Sequence, residues 1–331
     1  MADHEHGEPV TARRGFFWVG VERSPGPSGT VARGPMYVQW ESPVEVRRPY
    51  PLVLVHGGGG QGTDWLGTPD GRPGWATYLL AEGYAVYVVD RPGHGRCSYH
   101  PGVLGPMGDP FTFELAHALF TDRDHPTGHL HTQWLGSGEI GDPALDQFVA
   151  AAGPMLADFR AAHALEQARG AELLDRIGPA IVVTHSAGGP AGWLWADARP
   201  GLVKALVAIE PMGPPFLEQP ERGLSLAWGL AASPLTFDPP VGDPAELAGT
   251  ARRLPNLQGI PIAVVSAEAS LLAQPAPAVA AFLEQAGCDV EHVRLADRGV
   301  HGNGHLMMLE RNSREALRPI LDWLEERVPQ G

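Results

Sequence analysis

Cysteine is scarce in this chain, with only Cys97 and Cys288 among 331 residues. The two lie far apart and form no metal-spaced pair, so neither a disulfide framework nor a cysteine-ligated metal is indicated. Positive charge is also short: 24 Lys and Arg face 38 Asp and Glu, for a formal net charge of −14. Such a balance argues against nucleic acid and anionic membrane surfaces as partners. No run approaches the roughly 18 apolar residues of a membrane span. The amino terminus, MADHEHGEPVTARRG, lacks an apolar signal core, which makes a cytoplasmic location the expectation. Repeats and long low-complexity tracts are missing as well. What is present is 44% hydrophobic and 19% charged residues, an ordinary globular composition in a chain long enough for a large core. Residues 1–14 read as a polar, flexible lead-in, and 15–331 as a single domain.

Short β-branched or aromatic runs punctuate the chain at 16–21, 35–41, 51–55, 84–89, 180–184, 203–209, 260–266 and 290–295. The first two suit antiparallel edge strands. The others alternate with helical stretches at 75–82, 154–177, 189–199, 277–286 and 313–328. This alternation predicts an α/β fold with a mostly parallel central sheet, helices on both faces, and ligands beyond the strand carboxyl ends. Two stretches interrupt it, 97–153 and the Pro/Gly-rich 213–258, and both read as cap-like insertions over the active site. Within the first, 113–120 is weakly helical and expected to supply apolar walls.

The densest chemistry lies in AIVVTHSAGGPAG, 180–192. An apolar strand runs into a sharp turn with Ser186 at its apex and small residues around it, the pattern of a nucleophile elbow. Thr184 holds the first glycine position of G-x-S-x-G. The turn would place the Ala187 N–H at a helix start, where it can stabilise an oxyanion. A serine hydroxyl needs a base and a group that orients the base. In GVHGNGHLMM, 299–308, His305 precedes the apolar run that opens the last helix and can fold back toward Ser186, with His301 expected in a supporting, loop-forming role. Two carboxylates compete for the orienting place: Glu210, between ALVAI and Pro211, and Glu268, past the following strand. The order Ser, acid, His admits either, while Asp90 and Asp297 are weaker candidates. A second oxyanion N–H is expected from Gly58 in the HGGGGQG loop, 56–62, where bare backbone can approach a substrate.

That loop also satisfies G-x-G-x-x-G through Gly57, Gly59 and Gly62, with Asp90 ending the next strand, so a dinucleotide-binding oxidoreductase is a rival reading. Against it, the loop continues through WLGTPDGRPGW before a helix begins, and the elbow and the His305 loop go unexplained. A catalytically dead binding fold usually lacks a triad member, and none is missing. His125, His129 and His131 could suggest a metal, but their irregular loop has no fixed ligand geometry, so they are expected to be solvated. Trp65, Trp134, Trp193, Trp195 and Trp228 are expected in the core.

Four stretches together, His56 through TPDGRPGW (68–75), HSAGG, Ile209-Glu210-Pro211 and GVHGNGHLMM, resemble the α/β-hydrolase superfamily. More narrowly they resemble a small branch of bacterial esterases with a Ser-His-Glu triad whose glutamate follows the sixth strand. The resemblance implies Ser186 as nucleophile, His305 as general base, Glu210 as its orienting partner, and the Gly58 and Ala187 N–H groups as the oxyanion hole. It implies an acyl-enzyme route on a small-molecule ester, without metal or organic cofactor. Lactonase and amidase or peptidase activities share these motifs. Whether the chain forms a homodimer is left open by the sequence.

Overall fold

The central β-branched runs become strands here because each can bury both of its faces. A computed structural model describes residues 10–247, 249 and 251–328. Among these, eight strands form the main sheet: β1 Ala12–Val19, β2 Met36–Pro43, β3 Leu52–Val55, β4 Val86–Asp90, β5 Ala180–His185, β6 Val203–Ile209, β7 Pro261–Ser266 and β8 Asp289–Arg294. Their spatial order is 1-2-4-3-5-6-7-8. β1 and β2 pair antiparallel, β2 meets β4 antiparallel, and every later pairing is parallel.

Alternate residues of the central strands feed two separate cores, as a pleated strand covered on both sides requires. Leu52, Leu54, Ile181, Val183, Val207 and Val265 pack with helix α1 (Trp75–Ala81) and the final helix. Val53, Val55, Val182, Leu206, Ala208 and Val264 pack on the opposite side, against the helices Phe159–Ile177, Gly189–Ala198 and Ala276–Gln285. In chain order the remaining long helices are α2 Pro143–Ala151, α3 Phe159–Ile177, α4 Gly189–Ala198, α5 Ala276–Gln285 and α6 Ser313–Arg327. Their starts and stops have local causes. Asp142 and Asp158 cap α2 and α3 by accepting the N–H groups of Ala144 and Ala161, and Gly83 at φ 89° turns the chain after α1. No helix among the described residues is long and apolar enough to cross a membrane.

Several sequence boundaries shift. β1 begins at Ala12, within the stretch expected to be a flexible lead-in, because Ala12 to Gly15 pair with Trp40 to Pro43. Residues 1–9 of that expected lead-in lie outside the described residues, as do 248 and 250 of the second insertion. The first insertion is less irregular than its pattern suggests: α2 occupies 143–151, with Leu145, Phe148 and Val149 buried on one side. A single helical turn, Thr63–Leu66, directly follows the glycine loop, earlier than the helix expected there.

Candidate active site

Ser186 sits between β5 and α4 at φ 54°, a left-handed conformation that costs a non-glycine residue about 1–3 kcal/mol. Its surroundings hold it there. The Ser186 carbonyl accepts the N–H groups of Met212, at 2.9 Å, and of Gly189. A side chain at Gly188 would strike the His56 carbonyl, and one at Gly189 would lie 2.6 Å from Pro211 Cβ. The small residues of HSAGG are therefore demanded by close chain crossings. Thr184 fits where a glycine is usual because the residue it faces, Gly192, has no side chain: a Cβ there would lie 3.1 Å from the Thr184 methyl.

The loop after β8 brings His305 over the sheet edge. Its Nδ1 lies 2.6 Å from Glu210 Oε2, and both side chains are fully buried. Glu210 stands at φ 41°, so its conformation, like that of Ser186, is imposed by the fold. Two further donors converge on its carboxylate: the Ser270 hydroxyl at 2.5 Å and the Ala267 N–H at 2.8 Å. Burial pushes the Glu210 carboxyl up to about 8, against the pull of those two hydrogen bonds, and pushes the His305 imidazole down to about 3. When Glu210 is ionised it accepts from His305 Nδ1–H as well as from Ser270 and Ala267, and Nε2 is left as a free lone pair. That Nε2 is buried and has no hydrogen-bond partner, so the Ser186 hydroxyl does not bond it in this structure. The His185 ring lies 4.4 Å from the His305 ring, and its Nε2–H donates to the His305 carbonyl at 3.1 Å. His305 and the residue before Ser186 are thus tied together.

Glu268, the competing acid, lies elsewhere. It accepts from His301 Nδ1 at 3.2 Å and from the Gly302 N–H at 2.9 Å, at the protein surface. Asp297 is also apart, in an exposed ion pair with Arg294.

The glycine loop after β3 faces the elbow. A Cβ on Gly57 would come within 3.0 Å of Ser186 Cβ, and one on Gly58 within 3.1 Å of the Ala187 methyl. Asp90, the acid that a dinucleotide site would use for ribose, is consumed internally. It accepts the Gly62 N–H at 2.7 Å, the Arg96 N–H at 2.7 Å and the Arg96 guanidinium. The loop is therefore bound into the hydrolase-type crossing, and the rival reading loses its acid.

The stretch 113–120 is helical as expected and brings an apolar ring to His305, whereas several other contributors were not found from sequence. Phe113–Ala116 is α-helical and His117–Thr121 is a π-helix, a rare form that often accompanies functional sites. This segment lays Phe120 flat on the His305 ring, with centroids 5.4 Å apart and planes 4° apart. Phe111 stacks on Phe120 in turn, and Met155 lies against Gly58. His131, expected to be solvated, is buried instead, its Nε2 2.7 Å from Glu310 Oε1. Glu310 also accepts the Gly304 N–H and the Asn303 amide, so it braces the loop that carries His305. Among the described residues no group of three or more His, Cys, Asp or Glu could hold a metal ion. Both cysteines are free and buried, and Trp65, Trp134, Trp193, Trp195 and Trp228 are core residues.

Comparisons with known proteins identify the fold family. A profile described as alpha/beta hydrolase fold matches residues 50–230. A protein named probable secreted lipase phiG, from Fungal sp. (strain ATCC 74256), is 39% identical over 343 residues, covering 97% of this chain and 91% of that protein. Among solved structures, one described as a novel bacterial esterase superposes with a TM-score of 0.72 at 25% identity, covering 99% of this chain and all of the other.

Proposed function

The chain belongs to the α/β-hydrolase fold family and is a carboxylic ester hydrolase; from that premise we propose that it cleaves small-molecule esters through a Ser186-His305-Glu210 triad and an acyl-enzyme intermediate. The observation that carries this reading is the buried His305–Glu210 contact of 2.6 Å beside a serine held at positive φ.

Ser186 Oγ attacks the ester carbonyl carbon while His305 Nε2 takes its proton. Glu210 fixes the imidazole with its proton on Nδ1 and stabilises the imidazolium that forms. The Gly58 and Ala187 N–H groups receive the oxyanion. Collapse of the tetrahedral species expels the alcohol, which takes the proton from His305 Nε2. A water molecule then attacks the acyl carbonyl carbon and gives a proton to the same nitrogen; collapse of this second tetrahedral species returns that proton to Ser186 Oγ and releases the carboxylic acid. The hydroxyl-to-Nε2 hydrogen bond forms as substrate enters, since such contacts tighten in the reactive complex. Phe111, Phe120 and Met155 give the site an apolar wall suited to an apolar acyl or alcohol group. No step requires a metal or organic cofactor.

Hydrolysis of a chromogenic acetate-to-octanoate series, with a lactone and an anilide alongside, tests the reading. Ser186→Ala and His305→Ala are expected to lower kcat at least about 10⁴-fold. Undiminished turnover by Ser186→Ala would sink the triad. The fungal relative is named as secreted; whether this chain stays in the cytoplasm or leaves it is decided by immunodetection in fractionated source cells and medium.

A further inference from the structure

The two peptide groups proposed to form the oxyanion hole are held in different ways. A trans peptide points its C=O and its N–H in opposite directions, so whatever grips the carbonyl aims the N–H. The Ser186–Ala187 peptide is gripped by main chain alone, through the N–H groups of Met212 and Gly189 on the Ser186 carbonyl. The Gly57–Gly58 peptide has no such support and is gripped by two side chains. Its carbonyl, on Gly57, accepts His56 Nδ1–H at 2.8 Å and Arg91 Nη2–H at 2.9 Å. Arg91 acts a second time: its own backbone N–H donates to His56 Nε2 at 3.0 Å, which leaves the His56 proton on Nδ1, facing Gly57. Its Nη1 reaches Glu166 Oε1 at 2.9 Å and the Ala187 carbonyl at 3.3 Å.

Stability alone gives little reason for this arrangement. Arg91 and Glu166 are both buried, Arg91 from the turn after β4 and Glu166 from α3, and among the described residues Arg91 Nε and Glu166 Oε2 have no hydrogen-bond partner. A buried pair with unspent donors and acceptors is often no better for stability than apolar residues of the same volume. What the guanidinium does supply is a planar fork that spans the carbonyl of Gly57 and the carbonyl of Ala187, one on each side of the hole.

We infer that Arg91, oriented by Glu166, is the positioning residue of the oxyanion hole, aiming and polarising the Gly58 N–H through the Gly57 carbonyl. A hydrogen bond on the carbonyl strengthens the N–H of the same peptide as a donor, and the charge on Arg91 makes that bond a strong one. The contribution appears only when negative charge develops on the substrate oxygen, so it falls on kcat and not on substrate binding. The inference rests on the triad reading above.

The test compares wild type with Arg91→Met/Glu166→Met, which removes both charges together, and with Arg91→Lys, which keeps the charge opposite Glu166 without the fork. Ester kinetics are read beside binding of an aryl trifluoromethyl ketone, whose serine adduct carries the oxyanion, and of the corresponding methyl ether, which cannot form one. The expected result is a loss of about 10- to 100-fold in kcat with KM within about threefold. Affinity for the trifluoromethyl ketone falls by the same factor while ether affinity holds. Arg91→Lys decides the matter if the double variant does not fold, with a loss of about tenfold in kcat and in ketone affinity. Wild-type kcat and ketone affinity in a folded variant would overturn the inference, and so would a rise in KM and ether dissociation constant with kcat unchanged. If Ser186→Ala keeps its turnover, the acyl-transfer reading itself has failed and this inference with it; loss of turnover in Ser186→Ala beside an unaffected Arg91 variant isolates the failure to Arg91.

Discussion

Two histidine–glutamate pairs have their histidines four residues apart on one loop and share almost nothing but their composition. His305 and Glu210 meet at 2.6 Å with side chains 1% and 0% exposed, whereas His301 and Glu268 meet at 3.2 Å with side chains 63% and 22% exposed. Water screens the outer pair and competes for every hydrogen bond in it, so its geometry is replaceable. The inner pair has no such substitute. Burial raises the cost of a free charge on either partner, and each must therefore satisfy the other. A third pair, His131 and Glu310, is as buried as the first, yet its carboxylate is turned to the Asn303 side-chain amide and the Gly304 backbone N–H. Burial alone thus does not fit a pair for the proposed role. What distinguishes the inner one is that its histidine keeps a free Nε2 beside the turn at Ser186.

The largest expected effect sharpens that contrast directly. Glu210→Gln replaces the acceptor of the Nδ1 proton with an amide that can donate to Nδ1 and so favours the wrong tautomer of His305. kcat/KM should fall about 10³- to 10⁴-fold, read from initial rates on a chromogenic ester.

Next comes pH. Burial raises the Glu210 carboxyl to about 8 from its ordinary 4.5, so as pH falls through that raised value the carboxylate takes up a proton and ceases to accept from Nδ1. kcat/KM is therefore expected to fall on the acid side at a higher pH than an ordinary carboxylate would produce. The Ser270 hydroxyl stabilises the anion, and losing it must move this limb further up. A hydrogen bond to a charged group is worth about 1.5–3 kcal/mol, so Ser270→Ala should shift the limb upward by about one to two pH units. A pH–rate profile with an unmoved acid limb and a lowered plateau would instead make Ser270 a packing residue.

The third pair gives a smaller catalytic effect with a larger structural one. Glu310→Gln keeps the shape but cannot accept equally well from His131, Asn303 and Gly304. Leaving one buried donor unsatisfied costs about 1–3 kcal/mol, visible in the urea midpoint. kcat/KM should fall only about tenfold, as the His305 loop loosens without losing its acid. A larger loss in rate than Glu210→Gln would reverse the ranking of the two buried pairs.

The difference among the three pairs also marks how far the sequence could be read. Strands such as Val203–Ile209 and the elbow at Ser186 were legible because local pattern and tertiary role agree: a β-branched run is buried on both faces, and a crowded turn needs small residues. The glutamate was only half legible. Residue order admits Glu210 or Glu268, and the residues alone left that choice open. Deciding it from geometry takes the depth at which each strand ends, which depends on contacts from β7 and from the 299–305 loop. His131 was illegible. Its loop has no periodicity, and its partner lies 179 positions away. The π-helical turn at 117–121 was likewise hidden, since composition there is merely weakly helical and the wider turn is set by what Phe120 packs on. Arg91 was hidden for a related reason: an arginine after a strand in DRPGHGR reads as a turn residue, and only burial against Glu166 reveals its aim.

The smallest effect belongs to the outer pair, and it is the one that breaks the comparison if the comparison is wrong. Glu268→Gln keeps an acceptor for the Gly302 N–H and loses only a screened attraction to His301, worth about 0.2–1 kcal/mol where such pairs have been measured. kcat/KM for the chromogenic ester should stay within about threefold of wild type, consistent with that range. Any change should shrink as ionic strength rises from 0.01 to 1 M, on the order of the fall in Debye length from 30 to 3 Å. A salt-independent loss approaching that of Glu210→Gln would mean that the exposed acid, and not the buried one, orients the base. His305 would then have to leave its 2.6 Å contact during turnover, and burial would no longer explain why one histidine of this loop acts and the other does not.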